Sequence, residues 1–154
     1  MNETTKQLKG FYRIEHRKAD GTLLSDQTVQ NIFTNAGKAQ MALLAGDPTD
    51  VPFTYIAVGT SATAVSASDT TLTAEITDTG LARASGTVTR ITTSVTNDTY
   101  QISKVFTATG TKTVEEVGVF NASSSGTMLS HALTGTKSMQ NTDTLTITYT
   151  LKFE

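Results

Sequence analysis

Apolar residues alternate with polar ones along much of the chain, most regularly at its C-terminal end. Between Thr144 and Phe153 every second residue is a large apolar one, and threonine or lysine fills the positions between. A period of two predicts a strand with one buried and one exposed face. The same kind of pattern, bounded by Gly, Asn, Asp and Ser, predicts further strands over 8–17, 22–30, 53–58, 81–95, 100–108, 114–120 and 127–134.

One segment, residues 34–46, has the pattern of a helix. It begins with Thr34 or Asn35 as a cap, is rich in Ala, Leu and Met, and ends at Gly46. These features predict the one short helix of the chain, near 35–45. Its apolar positions Ala36, Ala39, Leu43 and Leu44 share one face of the helix.

Together these elements predict a mainly β, single-domain fold over residues 1–154. The domain is expected to comprise an N-terminal hairpin (8–30), the helix (34–46) and a strand meander (53–154). About eight antiparallel strands with one helix favour a β-sandwich of jelly-roll or Ig-like type. Small polar residues over 60–68 indicate a surface loop, followed at 68–75 by a single helical turn.

The composition excludes several classes of function. The 154 residues have a net charge of -2, no cysteine and two histidines. A near-zero charge argues against a nucleic-acid partner bound by bulk electrostatics. The lack of cysteine excludes a disulfide scaffold and a thiolate metal site, and two histidines are too few for a multi-histidine centre. No apolar run is long enough to span a membrane, and no cofactor is predicted.

Few residues offer catalytic chemistry. Glu115 and Glu116 are neighbours on a predicted strand, so their side chains should point to opposite faces and cannot act as an acid–base pair. We interpret them as a solvated strand start, with one Glu near an interface. Ser130, His131 and Asp143 supply the residue types of a hydrolase triad, but no nucleophile-elbow pattern supports one. No catalytic residue is therefore predicted.

The first hairpin carries the densest group of cations, Arg13, Arg17 and Lys18. His16, in the same strand, is expected to be an exposed pairing residue. The charges either keep an exposed hairpin soluble and protect its edge strand, or dock the hairpin onto an acidic partner surface. Arg13, Arg17 and Lys18 are thus the candidate assembly contacts.

Threonine dominates the composition, with 32 of 154 residues, whereas charged residues make up 17%. The branched Cβ of threonine suits a pleated, half-buried surface. A surface of Thr, Ser and Ala with so few charges is unusual for a free monomer, where charge limits association. It favours a subunit that packs against copies of itself or against a larger lattice.

Six stretches, taken in order, resemble a family of tailed-bacteriophage virion proteins. They include an N-x-x-T-N-x-G helix entry, a Y-I-x-V-G-T strand, an S-D-T-x-L turn and an E-x-G-V-F-N strand. The resemblance covers nearly the whole chain and implies a non-enzymatic, β-rich virion component. The matching stretches are 31–39, 53–60, 67–76, 116–122, 126–129 and 143–147.

The resemblance leads to three hypotheses of function. The first is a capsid decoration (cement) protein that is assembled in the bacterial cytoplasm and binds copies of itself and the phage major capsid protein. The second is a tail or fibre module that binds tail proteins and contacts a host glycan. The third is an enzyme such as a depolymerase, which would need a clustered acid pair or nucleophile that the sequence does not show. Neither nucleic acid nor membrane is an expected partner.

Overall fold

The computed structural model of the protein describes residues 7–154, so residues 1–6 of the predicted domain lie outside it. The described part forms ten strands and one helix. In chain order these are β1 (Leu8–Arg17), β2 (Leu23–Gln30), β3 (Ile32–Phe33), α1 (Asn35–Gly46), β4 (Tyr55–Gly59), β5 (Ala84–Ser85), β6 (Thr87–Ile91), β7 (Thr99–Thr107), β8 (Lys112–Phe120), β9 (Met128–Met139) and β10 (Thr144–Phe153).

The strands form two antiparallel sheets of five strands each. Sheet A has the order β2–β1–β10–β7–β6, and sheet B has the order β3–β9–β8–β4–β5. Their inner faces pack together around one large apolar cluster, as two sheets with one apolar face each must do to leave water. The predicted antiparallel β-sandwich is confirmed.

The chain from residue 53 onward does not run as one continuous meander. The hairpins β6–β7 and β8–β9 join neighbours within a sheet, but the β7–β8 and β9–β10 connections pass from one sheet to the other. Each sheet needs an apolar partner face, so the chain divides its C-terminal strands between the two layers. The predicted strand over 81–95 is also divided, into β5 and β6.

Strand β10 lies at the centre of sheet A, and its alternation is as predicted. Leu145, Ile147 and Tyr149 are fully buried between the sheets. The threonines between them face outward, beside the outward residues of β1 and β7. Strand β10 thus buries one face and carries four threonines and Lys152 on the other.

Helix α1 begins where the sequence predicts, but it buries a different face. Thr34 caps it, because its Oγ1 accepts the backbone N–H of Gly37 at 2.8 Å. Gly37 is buried, and Met41 and Leu44 pack on the core, whereas Leu43 is 49% exposed. Ala36, Ala39 and Leu43, on the apolar face that the sequence pattern indicates, are therefore exposed rather than packed on the core. Because Gly37 has no side chain, the helix can lie directly against β9. Residues four and seven positions further along the helix, Met41 and Leu44, then lie on the same side and face the core.

Residues 60–83 form a long irregular segment on sheet B. A single bridge pairs Gly59 with Glu75, and the helical turn predicted at 68–75 does not form. Leu72, in the middle of this segment, packs with Ala57, Phe120 and Met128 in a second, smaller apolar cluster. The segment therefore covers side chains of sheet B that lie outside the main core.

Candidate functional site

The cations of the β1–β2 hairpin are largely paired within the chain. Arg13 forms a two-pronged contact with Asp26, with its Nε 3.1 Å from Oδ1 and its Nη2 2.8 Å from Oδ2. Arg17 donates to the carbonyl of Gly21 and lies 3.3 Å from Glu15. Lys18 is exposed and makes no ion pair within 4.0 Å to any residue of 7–154. Of the three predicted assembly contacts, Lys18 is thus the one whose charge is unmatched.

His16, predicted to be exposed, is buried with 5% of its surface accessible. The prediction is wrong because His16 lies on the inward side of β1, with Tyr12 and Ile14, which are both fully buried. The Nε2 atom of His16 lies 2.9 Å from Oδ2 of Asp143, which also accepts the backbone N–H of Gln140. The pair joins β1 to the turn between β9 and β10.

Glu116 is fully buried, so the prediction of a solvated strand start is wrong for it. Its carboxylate accepts the backbone N–H groups of Thr73 and Ala74, at 3.0 and 2.7 Å. Gly59 provides the space, since a Cβ there would lie 2.3 Å from Oε1 of Glu116. Glu116 therefore satisfies two donors of the irregular segment that lies over sheet B. Its neighbour Glu115 is half-buried and accepts a hydrogen bond elsewhere, from Thr136.

His131 links two carboxylates that come from different parts of the fold. Its Nε2 lies 2.8 Å from Oε2 of Glu116, and its Nδ1 lies 2.8 Å from Oδ2 of Asp69. The imidazole is 1% exposed and the Glu116 side chain is 0% exposed, whereas the Asp69 side chain is 26% exposed. We call this group the His131 cluster: Asp69, His131 and Glu116. No sequence pattern predicts this contact of Asp69, which lies in the S-D-T turn.

Ser130, His131 and Asp143 do not form a triad. Ser130 contacts the hydroxyl of Tyr12, His131 contacts Asp69 and Glu116, and Asp143 contacts His16. Successive residues of a strand point to opposite faces, so Ser130 and His131 lie on opposite sides of sheet B. Within residues 7–154, no group of three or more His, Asp or Glu side chains is arranged to hold a metal ion.

Arg83 makes a second set of contacts across the irregular segment. Its guanidinium lies 3.6 Å from the ring centre of Phe120 and binds Glu75 through two nitrogens, at 2.8 and 2.7 Å. It also donates to the carbonyls of Ala122 and Ser125, in the turn after β8. Stacking and a two-pronged carboxylate contact are what a planar guanidinium provides and an ammonium does not. The sequence offered no signal for this role.

The contacts of the His131 cluster change the pKa of each member. Burial alone would lower the pKa of His131, but the hydrogen bonds and charges of Glu116 and Asp69 raise it above 6.5. Burial would raise the pKa of both carboxyls. The hydrogen bonds from His131 and from backbone N–H groups outweigh this effect and lower the pKa of Glu116 and of Asp69. All three groups are therefore ionised together in mildly acidic solution.

We expect the free energy of unfolding to be highest between about pH 4.5 and pH 6.5, the ordinary pKa values of Glu and His. Above this range the unfolded chain loses its histidine proton, and the stabilisation fades as the pH rises through the raised pKa of His131. Below it, stability is lost as the pH falls through the lowered pKa values of Glu116 and Asp69. Urea unfolding followed by circular dichroism from pH 3.5 to 9 measures this profile. If the free energy of unfolding of His131→Gln falls at alkaline pH as much as that of the unmodified protein, His131 is not the group responsible.

The outer face of sheet A is chemically divided. Over β1 and β2 it carries charges, among them Arg13, Glu15, Arg17 and Asp26, with Asp26 directly opposite Glu15 in register and bound by the side chain of Arg13. Over β10, β7 and β6 hydroxyl groups predominate, and the one charged side chain at an outward position is Lys152, at the end of β10. Ser103 and Thr148 exchange a hydrogen bond at 3.2 Å there. The residues of this hydroxyl face, identified from the strand register, are Thr144, Thr146, Thr148, Thr150, Thr107, Val105, Ser103, Gln101, Thr87 and Thr89.

Apolar side chains are exposed at another place, beside α1. Two neighbouring depressions share Pro52, Phe53 and Tyr100. Phe153 lines one of them and Val88 the other, and these side chains are 52% and 43% exposed. The outer surface thus offers a hydroxyl-rich face on sheet A and an apolar groove beside α1.

Comparisons with protein-family models, curated proteins and solved structures found no significant match to this chain. Within residues 7–154, no helix has the length and apolar character needed to cross a membrane.

Proposed function

We propose that the protein is a non-enzymatic virion component of a tailed bacteriophage, a decoration protein that binds the outer surface of the major capsid protein shell. The observation that carries this proposal is the hydroxyl face of sheet A, where eight of ten residues across three adjacent strands carry a hydroxyl group and the nearest charge on β10 is Lys152 at its end. A surface of this kind is unfavourable for a free monomer and suits packing against a protein neighbour. The resemblance to phage virion proteins supports the same function.

The proposed mechanism is passive. Each copy adds contact area between neighbouring capsid subunits, and many weak contacts made at once give strong overall attachment. Threonine hydroxyls suit this role because they hydrogen-bond a partner backbone or side chain without the cost of desolvating an ion.

Two further elements are candidate docking contacts. The β1–β2 hairpin with Arg13, Arg17 and Lys18 is one, although the pairing of Arg13 and Arg17 within the chain leaves Lys18 as the cation available to an acidic partner. The surface loop 60–68 is the other. Both lie outside the hydroxyl face, so a subunit could contact neighbours on several sides.

Rebinding of the purified protein to capsids stripped of their decoration tests the proposal. We expect saturable binding that Thr148→Lys weakens about tenfold, or ~1.4 kcal/mol, because a lysine at the centre of the hydroxyl face would bury a charge. Thr113→Lys, at an exposed position of sheet B, is the matched control and should bind normally. Equal binding of both variants would reject the hydroxyl face as the contact.

The number of copies per particle distinguishes the location. Quantitative mass spectrometry of intact virions should find hundreds of copies if the protein decorates the capsid. A dozen or fewer copies, with antibody labelling of tails only and no rebinding to capsids, would instead favour the tail or fibre module.

A further inference from the structure

The two contacts of His131 can both exist only while the ring is doubly protonated. An ionised carboxylate only accepts hydrogen bonds, so each ring nitrogen must carry a proton to bond its carboxylate. Both nitrogens lie 2.8 Å from a carboxylate oxygen. In the neutral ring one nitrogen presents a lone pair, which at this distance would face the lone pairs of an ionised oxygen. Loss of one proton therefore removes one of the two contacts.

The contact with Asp69 is the weaker of the two. Glu116 is fully buried and is also held by the N–H groups of Thr73 and Ala74. Asp69 is a quarter exposed, and its other bond comes from the backbone N–H of Ser66, which lies within the same loop. When one proton leaves, water can replace His131 at Asp69 but cannot reach Glu116. The remaining proton should therefore stay on Nε2.

Few bonds hold the loop around Asp69 to the rest of the protein. Between residues 61 and 72, two hydrogen bonds leave the segment: the backbone N–H of Asn35 donates to the carbonyl of Ala67, and His131 donates to Asp69. The other bonds of this stretch are internal, among Ser61, Thr63, Ser66, Ser68 and Asp69. The ring of His131 thus supplies half of the hydrogen-bonded attachment.

We infer that the Asp69–His131 contact is a proton-operated latch. It is closed while both ring nitrogens are protonated, and it opens when Nδ1 loses its proton, releasing residues 61–71 from sheet B while Thr73 and Ala74 stay bound to Glu116. The inference concerns the isolated chain and holds whether or not the protein decorates capsids. If loop 60–68 is a docking contact, the latch would make docking depend on pH.

Other charges do not compensate for the lost proton. Among residues 7–154, the ionisable groups in contact with His131 are Asp69 and Glu116. Glu75, the next carboxylate along the segment, is occupied by Arg83. On β9 the adjacent Ser130 and Ala132 point to the opposite face, and β3 contributes only Ile32 at this register. The protonation state of one ring therefore controls the latch.

Hydrogen–deuterium exchange of the full chain, read by mass spectrometry at pH 6 and at pH 9, tests the inference. Rates are corrected for the intrinsic effect of pH with an unstructured reference peptide. We expect amides of 61–71 to exchange roughly ten- to hundredfold faster at pH 9, as for the loss of one hydrogen bond to a charged group. Peptides covering 73–76 and β8 should not change.

The variant Asp69→Asn separates the latch from a general loosening of the fold. An asparagine can accept a proton from the charged ring through Oδ1 and donate to the neutral ring through Nδ2, so its loop should stay closed at both pH values. Nitrogen NMR of His131 should show both nitrogens protonated at pH 6 and only Nε2 protonated after titration. Three results would overturn the inference: exchange rates of residues 61–71 that do not change between pH 6 and pH 9, the same increase of these rates in Asp69→Asn, or a His131 ring that stays doubly protonated up to pH 9.5.

Discussion

Replacing Glu116 with alanine should lower the free energy of unfolding by about 3–5 kcal/mol, the usual cost of removing one partner from a buried, hydrogen-bonded ion pair. The side chain is fully buried, and its removal leaves the buried imidazolium of His131 with Asp69 as its one remaining carboxylate partner. The N–H groups of Thr73 and Ala74 would lose their acceptor at the same time. Chemical denaturation at pH 6, where the cluster is ionised, measures the loss.

The neighbouring residue provides a matched control. Glu115→Ala removes the same side chain one position earlier in β8, but Glu115 is half-buried and its partner is the exposed hydroxyl of Thr136. Its loss should cost less than about 1 kcal/mol, as for other surface polar contacts. Glu116→Gln should be intermediate, because the amide oxygen still accepts backbone N–H groups while the charge is gone. Similar losses for Glu115→Ala and Glu116→Ala would show that Glu116 does not anchor the segment.

The strands could be predicted because their burial repeats every two residues. In β1 and β10 the predicted and observed bounds coincide, since both strands have one face in the core and one in water. The ends of the edge strands β5 and β6, within residues 81–95, could not be predicted in the same way. Strand β6 is exposed at nearly every position, so its sequence carries no burial pattern to read.

The buried ionisable groups could not be predicted, because they are buried by contacts between segments that are far apart in the sequence. The local pattern of residues does not show which segments will meet. His131 and Asp69 are 62 residues apart, and His16 and Asp143 are 127 apart. In the strand pattern alone, Glu116 occupies the same kind of position as an outward-facing residue. It is buried only because residues 72–76 lie over that face of sheet B.

The helix shows how packing overrides a pattern of apolar residues. The sequence favours a face of alanines and leucines, which would bury the most apolar surface in isolation. The structure buries Gly37 instead. A close approach of helix and strand backbones at this point brings Met41 and Leu44 onto the core, and Leu43 is left at the surface. Only the position of β9 decides between the two faces.

Gly37→Ala should therefore destabilise the protein by about 2 kcal/mol or more, in the range of overpacked cores. An alanine Cβ would lie 2.6 Å from the Cα of Leu129, and 2.7 and 2.8 Å from the carbonyl oxygens of Leu129 and Met128. These are backbone atoms of β9, held by the sheet, so the helix itself must move outward. That movement would also break the cap, in which Thr34 accepts from Gly37 and donates to the carbonyl of Met128.

Gly46→Ala tests the same substitution at the other end of α1. No atom lies within 4 Å of a Cβ built there, so only the intrinsic preference for alanine over glycine acts, which is worth up to about 1 kcal/mol in favour of the helix. The two variants should therefore change the free energy of unfolding in opposite directions, as measured by urea denaturation. A neutral or stabilising Gly37→Ala would mean that α1 does not lie against β9 as described. In that case Thr34 would not bridge helix and strand, and the buried face of α1 could be the one that its sequence pattern favours.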